Sequence, residues 1–370
     1  MKNILFIGLA AVFLLMVLAC NTEEKNLSVI QVNGKEIIQC DLTKLGEDTV
    51  NIPLSEWVEN CEIVCFENSD TALFKFWWSH ITNHYIGIRP RVGNFKLFSR
   101  KGRFLCDVGQ VGNGAGEYAG TLYSAVIDEI RETVYLASFF DCSKILKYDL
   151  KGRFIGEINL CENLNKPTLM LYPDGGISLI HLYMNGVNTI LGADINGDTI
   201  CTFAPDKSSL VYDSGCSFND EIWCFNNLPE MKVMFTFSDT LYNYNKSRKV
   251  LESEFCLKTN PDDRYIICPL PGKYVISSVS GKEIVVDTKQ EKAYYFKLVN
   301  DYYGGLTMSA SYFSNGWFWA MYEPLELIEE ITNRLKNRDL NNDDRIVLNK
   351  LLASLDVNGN NVMFLGKIRK

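Results

Sequence analysis

Phe95-Lys96-Leu97-Phe98-Ser99-Arg100-Lys101-Gly102-Arg103-Phe104-Leu105 and Ile145-Leu146-Lys147-Tyr148-Asp149-Leu150-Lys151-Gly152-Arg153-Phe154-Ile155 are two copies of one phrase. In each, a run rich in apolar residues crosses a polar turn carrying Lys-Gly-Arg and resumes as a second apolar run. Period-two runs on both sides of a glycine turn read as a β-hairpin. Weaker copies occupy Leu191–Ile200, Leu241–Leu251 around Lys246-Ser247, and Ile284–Phe296 around Lys289-Gln290. The turn residues Gly102, Gly152, Gly197, Ser247 and Gln290 are spaced 43 to 50 residues apart. A repeat of this length, made of short strands, is the size of a four-stranded β-propeller blade. One such sheet cannot bury both its faces, whereas radial stacking covers them and leaves only short edges. The expected fold is therefore all-β, a six-bladed β-propeller. Five markers give five blades, and the chain ends supply the sixth if Glu62–Phe66 and Val362–Ile368 share a sheet and close the ring.

One segment departs from the strand pattern. Between Glu323 and Leu355 the apolar residues fall at helical spacing: Leu327, Ile328, Ile331 and Leu335, then Leu348, Leu351, Leu352 and Leu355. Pro324 suits a helix start, and Asn341, Asn342 or Asp343 can cap a second helix. This predicts a C-terminal helical hairpin, about 323–355, inserted before the closing strand and packed on the propeller or serving as a lid.

The composition of the 370 residues bounds the chemistry. With 47% hydrophobic and 22% charged residues the chain can bury a sizeable core. A net charge of −8 and no block of Lys and Arg argue against nucleic acid as a partner. Only 3 histidines leave little for imidazole-based or multi-metal catalysis, while 21 Phe, 18 Tyr and 6 Trp supply flat rings to fill the space between twisted sheets.

The N-terminus carries an address. Lys2 precedes an apolar run from Ile4 to Ala19, too short to span a bilayer and ending at Cys20, which reads as a secretory signal. Val17-Leu18-Ala19-Cys20 resembles a bacterial lipobox, in which Cys20 is lipidated and becomes the first mature residue. The expected organisation is a signal peptide over 1–19, a lipidated tether and extension over 20–49, and the propeller over 50–370. The membrane is met through the lipid anchor only. Glu23 and Glu24 resemble an export signal to the outer face of the outer membrane, or form a solvated tether. Eleven further cysteines, an odd number, lie mostly in apolar strand-like runs, where a thiol acts as a small hydrophobe.

Candidate sites are few. His80 and His84 form HxxxH, but Trp77-Trp78 and Tyr85–Ile88 read as strands around a turn, so a shared metal is not expected. Asp194–Asp198 and Asp339–Asp343 resemble calcium loops; Asp344 and Lys350 stand where an EF-hand needs Gly and Glu. No metal site and no cofactor is assigned. Gly112-Asn113-Gly114-Ala115-Gly116 lacks the Lys-Ser/Thr of a phosphate loop. Beside it, Glu117 and Tyr118 are candidate ligand residues or fix the loop. Arg89 and Arg91, around Pro90, could meet an anionic ligand at the propeller mouth or sit in a solvated loop.

Gly109-Gln110-Val111-Gly112-Asn113-Gly114-Ala115-Gly116-Glu117-Tyr118, with the lipobox, the Gly102 phrase and the terminal helix pair, resembles the six-bladed β-propeller lipoproteins of Bacteroides-type bacteria. These are relatives of NHL-type propellers, and Ala115 stands where their loop has proline. The resemblance implies a fold and an envelope location, lipid-anchored to the outer membrane, rather than a reaction. NHL relatives are chiefly interaction platforms, with some metal-dependent hydrolases and lyases. The expected function is an envelope-anchored binding module for a glycan, a peptide or a partner protein. The alternative is a propeller hydrolase or lyase with a metal or carboxylate pair in the channel, which a plugged or apolar channel would oppose; catalytic residues are not identified.

Overall fold

The computed structural model describes residues 25–172, 176–181, 199–200, 221–236, 238–245, 247–248, 250–260, 264–278, 281–309 and 312–370. Its strands form a propeller arrangement in which each sheet is built from consecutive antiparallel strands. The first sheet runs Phe76–Ile81, Tyr85–Pro90, Phe95–Ser99, Phe104–Val108, and the second Leu122–Asp128, Thr133–Ser138, Cys142–Asp149, Phe154–Leu164. A two-stranded hairpin, Thr168–Leu171 with Ile177–Ile180, follows. Next comes the sheet Ile222–Phe225, Lys232–Phe235, Thr240–Asn245, Val250–Lys258, and then Tyr265–Leu270, Lys273–Ser278, Glu283–Asp287, Lys292–Asn300. The last sheet is Phe313–Ser314, Trp317–Tyr322, Val362–Lys367 and, from the other end of the chain, Glu62–Cys65. Five sheets thus have blade size among the described residues.

The ring closes as the sequence suggested. Val362, Met363, Phe364 and Leu365 pair antiparallel with Cys65, Val64, Ile63 and Glu62, so both ends of the body share one sheet. The N-terminal stretch goes further. Leu27–Val32 and Lys35–Asp41 form a hairpin that adds to the outer edge of Val250–Lys258, and Thr49–Pro53 runs parallel to Lys292–Asn300. Much of the segment expected as a tether over 20–49 is therefore laid along the propeller.

The turn markers fall on equivalent points. Gly102, Gly152, Ser247 and Gln290 each sit between the third and fourth strands of a sheet, while Gly197 lies outside the described residues. Glycine is required at two of them for a double reason. Gly102 and Gly152 have φ of 79° and 78°, and a Cβ would lie 2.3 Å from the Cys65 carbonyl oxygen and 2.0 Å from that of Asp107. Each outer hairpin is thereby pressed backbone to backbone on the preceding sheet, with no room for a side chain.

Helices α1 (Pro324–Leu335) and α2 (Asn342–Ser354) lie between the last two strands of the chain. Pro324 is at the first turn of α1, and Asn341 caps α2 by accepting from the Asp344 amide at 2.8 Å. Leu327, Ile331, Leu348 and Leu351 are buried in one cluster with Leu306 and Met308, and Arg334 Nε donates to the Gly304 carbonyl at 2.8 Å. One face of the pair packs on the sheet that begins at Tyr265, as expected of a hairpin packed on the propeller.

Cys40, Cys61, Cys65, Cys106, Cys142, Cys224, Cys256 and Cys268 are free thiols. Burial pushes Cys61 up to about 12 and Cys106 up to about 11, so both stay neutral and unreactive at physiological pH. Cys201, Cys216 and the side chain of Cys161 lie outside the described residues, as do Cys20, the signal segment and the Asp194–Asp198 loop.

Candidate functional site

The strands Phe76–Ile81, Leu122–Asp128, Thr168–Leu171, Ile222–Phe225 and Phe313–Ser314, each the first of its sheet, line a cavity of about 790 Å³, to which Tyr265–Leu270 contributes nothing. Its lining comes from Trp77–Asn83, Tyr123–Arg131, Thr168–Tyr172, Glu221–Asn226 and Phe313–Asn315, together with Arg89 and Trp317. These segments run from the starts of the first strands to the turns that follow them. Strand alternation explains the lining: on an innermost strand, one set of alternate residues is aimed at a neighbouring sheet and the edge of the strand looks onto the axis.

Four of the chain's six tryptophans, Trp77, Trp78, Trp223 and Trp317, line this space. Trp78 and Trp223 meet edge to face with ring centroids 5.8 Å apart, tying the first sheet to the sheet that begins at Ile222. Trp77 is 43% exposed. Its ring carries the Arg89 guanidinium 4.9 Å from the centroid, and Arg100 lies 4.2 Å from the ring of Trp317. Two cavity indoles are thus each backed by an arginine.

The polar groups are tied to one another across the sheets. Arg89 Nη1 donates to the carbonyls of Leu122, at 3.1 Å, and of Tyr123. Burial lowers the Arg89 guanidinium to about 10, still charged at neutral pH. The Tyr123 hydroxyl donates to Glu221 Oε2 at 2.6 Å, and Glu221 Oε1 pairs with Lys166 Nζ at 2.7 Å. Burial, followed by the Glu221 charge, pushes the Tyr123 hydroxyl far up, so it remains a donor. Lys166 itself is only 1% exposed and has a φ of 51°. On the opposite flank, His80 Nδ1 accepts from Asn315 Nδ2 at 3.0 Å, and burial lowers its imidazole to about 4. Asn226 Nδ2 reaches Asn315 Oδ1 at 3.4 Å.

Of the four ligand candidates from sequence, Arg89, Arg91, Glu117 and Tyr118, only Arg89 lines the cavity, and His80 of the HxxxH pair lines it too. Arg91 is exposed and donates from Nε to the Phe76 carbonyl at 3.3 Å. Tyr118 is buried in the core between the first two sheets, its hydroxyl accepting from the Phe95 amide at 2.8 Å. Glu117 accepts from the Gly114 amide at 2.7 Å and from Gln110 Nε2, filling the space that a side chain at Gly112 would need. Backbone bonds in that loop and a carboxylate turned inward on them are what holds its shape. His84 sits apart from His80, with Nδ1 2.9 Å from Glu129 Oε2, and His181 is buried. Among the described residues no three His, Cys, Asp or Glu side chains gather to hold a metal ion.

Sequence reasoning missed Trp77, Trp78, Tyr123, Lys166, Glu221, Trp223, Asn315 and Trp317. A usable signal existed for two of them. Trp78 and Trp223 stand at the same distance before the turn residues Gly102 and Ser247, so aligning the repeats by phase would have placed them on equivalent strands.

Fold and site together define a β-propeller whose inner strands line an aromatic-walled cavity with interlocked polar groups. The chain belongs to the family described as "Domain of unknown function (DUF4934)", whose model matches residues 36–266. In structure it is similar to a protein of Bacteroides fragilis NCTC 9343 described as exported, with a TM-score of 0.58 and 15% identity over 87% of this chain and 100% of that one. Weaker likenesses are to the Dos1 propeller, with TM-score 0.39 and 14% identity over 62% and 64% of the two chains, and to BamB from Moraxella catarrhalis, with 0.36 and 12% over 63% of each. No curated protein matches in sequence.

Proposed function

We propose that the protein is a lipid-anchored binding module of the bacterial envelope, a six-bladed propeller that seats its ligand in the central cavity. The observation that carries this reading is the cavity itself. Its volume of about 790 Å³ is in the range of built ligand sites, and four tryptophans in its lining, from three sheets, give it contact area with little conformational entropy to lose. The hairpin Thr168–Leu171 and Ile177–Ile180 supports the sixth blade, because its first strand lines the cavity as the first strands of four of the five blade-sized sheets do. The exported description of the Bacteroides fragilis relative fits an extracytoplasmic address, and no helix of the described residues is long and apolar enough to cross a membrane. Cys20 then supplies the anchor. Replacing it, Cys20→Ser, is expected to move the chain from the membrane to the soluble fraction of producing cells; retention in the membrane would count against lipidation.

The cavity reading is tested by tryptophan fluorescence. Titration with a panel of neutral oligosaccharides, acidic oligosaccharides and peptides should shift or quench emission for the true ligand. Ala125→Trp, which narrows the cavity, should abolish the binding, with Asn83→Trp at the exposed turn as a second obstruction. Binding that neither substitution weakens would place the site elsewhere.

A further inference from the structure

We infer that the ligand is an uncharged saccharide, with a sugar ring stacked on Trp77 and hydroxyls donating to Glu221. The inference rests on the reading of the cavity as the binding site and names its ligand class.

Three observations converge on it. The first is a prepared stacking face. Trp77 leaves 43% of its surface exposed on an inner strand, where a smaller residue would expose less apolar area. One face is held by Arg89, which is itself pinned to the carbonyls of Leu122 and Tyr123 in the next sheet. A rigid indole with one face free is what the C–H face of a pyranose packs against, at small entropic cost. Trp317, backed by Arg100, offers a second ring on the same cavity.

The second is an acceptor with capacity left. The Glu221 carboxylate holds the Tyr123 hydroxyl and Lys166 Nζ, yet its side chain remains 38% exposed. A carboxylate has lone pairs for about four bonds, so two or so remain for hydroxyl donors. Tyr123 lies between Trp77 and Glu221, with its ring beside Arg89 and its hydroxyl on the carboxylate, so the two contacts belong to one continuous surface.

The third is charge. Among the described lining residues Arg89 and Arg131 are positive and Asp128, Glu129 and Glu221 negative, and Lys166 joins them through Glu221. The two signs balance, and most of the charges have partners inside the protein: Arg131 is paired with Asp128 at 2.9 Å and Lys166 with Glu221, Glu129 meets His84, and Arg89 donates to two carbonyls. Such a wall gives no net field to draw an ionic ligand. Amides from Asn83, Asn226 and Asn315 complete a lining of neutral donors and acceptors suited to hydroxyl groups.

Calorimetric titration of the folded protein with the hexamers of maltose-, cellulose-, laminarin-, xylan- and mannan-type sugars, hexagalacturonate and hexaalanine decides the matter. At least one neutral hexamer is expected to bind. Trp77→Ala should weaken it by about tenfold or more, as loss of an aromatic anchor does, with Trp77→Phe losing less and Glu221→Gln weakening it independently. Circular dichroism and the unfolding midpoint check that the variants are folded. Equal affinity in wild type and Trp77→Ala would overturn the inference, as would silence from every neutral hexamer. Binding of hexagalacturonate or hexaalanine alone, abolished by Ala125→Trp, would overturn the saccharide class while leaving the cavity reading standing. Binding of any probe untouched by Ala125→Trp and Asn83→Trp would overturn both.

Discussion

Trp319→Ala is expected to lower the unfolding free energy by about 3–5 kcal/mol, the range for removing a buried large aromatic side chain. Trp319 is fully buried on strand Trp317–Tyr322 of the closing sheet. It stacks on Tyr312 at 4.5 Å and meets Phe76 and Trp78 edge-on at 5.5 and 5.3 Å. Its core cluster contains Val64, Met363 and Leu365 from the closing sheet and Ile81, Ile86, Ile88 and Phe98 from the first sheet. The indole therefore fills the junction between the first sheet and the sheet in which the two ends of the body pair, and alanine would leave a cavity that neither sheet can close without shifting its register. Urea unfolding measures the loss as a lower midpoint at constant slope. Trp319→Phe, which keeps most of the volume, should lose far less. A loss below about 1 kcal/mol for Trp319→Ala, the ordinary effect of a point substitution, would show that the seam does not depend on this ring.

The parts of this architecture that were legible in the sequence are those set by local rules. The hairpins at Gly102 and Gly152 announce themselves because a positive φ and a tight backbone approach can be met only by glycine. Pro324 and Asn341 mark helix starts because the free amides of a first turn select those residues. Ring closure by Glu62–Cys65 and Val362–Lys367 follows from the need to bury both faces of the last sheet. The candidate site was not legible, because its residues share no local rule. Trp77, Tyr123, Glu221 and Trp317 come from different sheets, and each reads in isolation as an ordinary strand residue. The surplus of aromatic rings was assigned to the spaces between blades, and Phe66, Phe98 and Trp319 do lie there. Trp78 and Trp317 pack against the same cluster and Trp223 against the neighbouring core, and these three together with Trp77 also line the cavity. In the Gly-rich loop, of the two roles the sequence offered for Glu117 and Tyr118, their hydrogen bonds to Gly114, Gln110 and Phe95 fit that of fixing the loop.

Acidification should destabilise the protein through His80. Its folded pKa is lowered from 6.5 to about 4, chiefly by burial, with the Glu129 charge opposing the shift only in part. The hydrogen bond from Asn315 Nδ2 to Nδ1 requires a lone pair on that nitrogen, so it too belongs to the neutral ring. In the unfolded chain the imidazole takes up its proton near the ordinary value, before the folded chain does. Unfolding is then coupled to proton uptake, and stability rises with pH wherever the unfolded state holds more protons. The stabilisation is complete above about pH 6.5, is lost progressively as the pH falls toward about 4, and changes no further below that; at most it amounts to about 3 kcal/mol. Carboxylates titrate at the lower end of this window, so the measurement is a difference between proteins. Urea unfolding of the wild type and of His80→Gln, at steps from about pH 7.5 to about pH 4.5, should give a gap that is constant above neutrality and shrinks through the acid window. A gap independent of pH would mean that His80 is protonated equally readily in both states, and that the cavity wall around it admits charge at no cost.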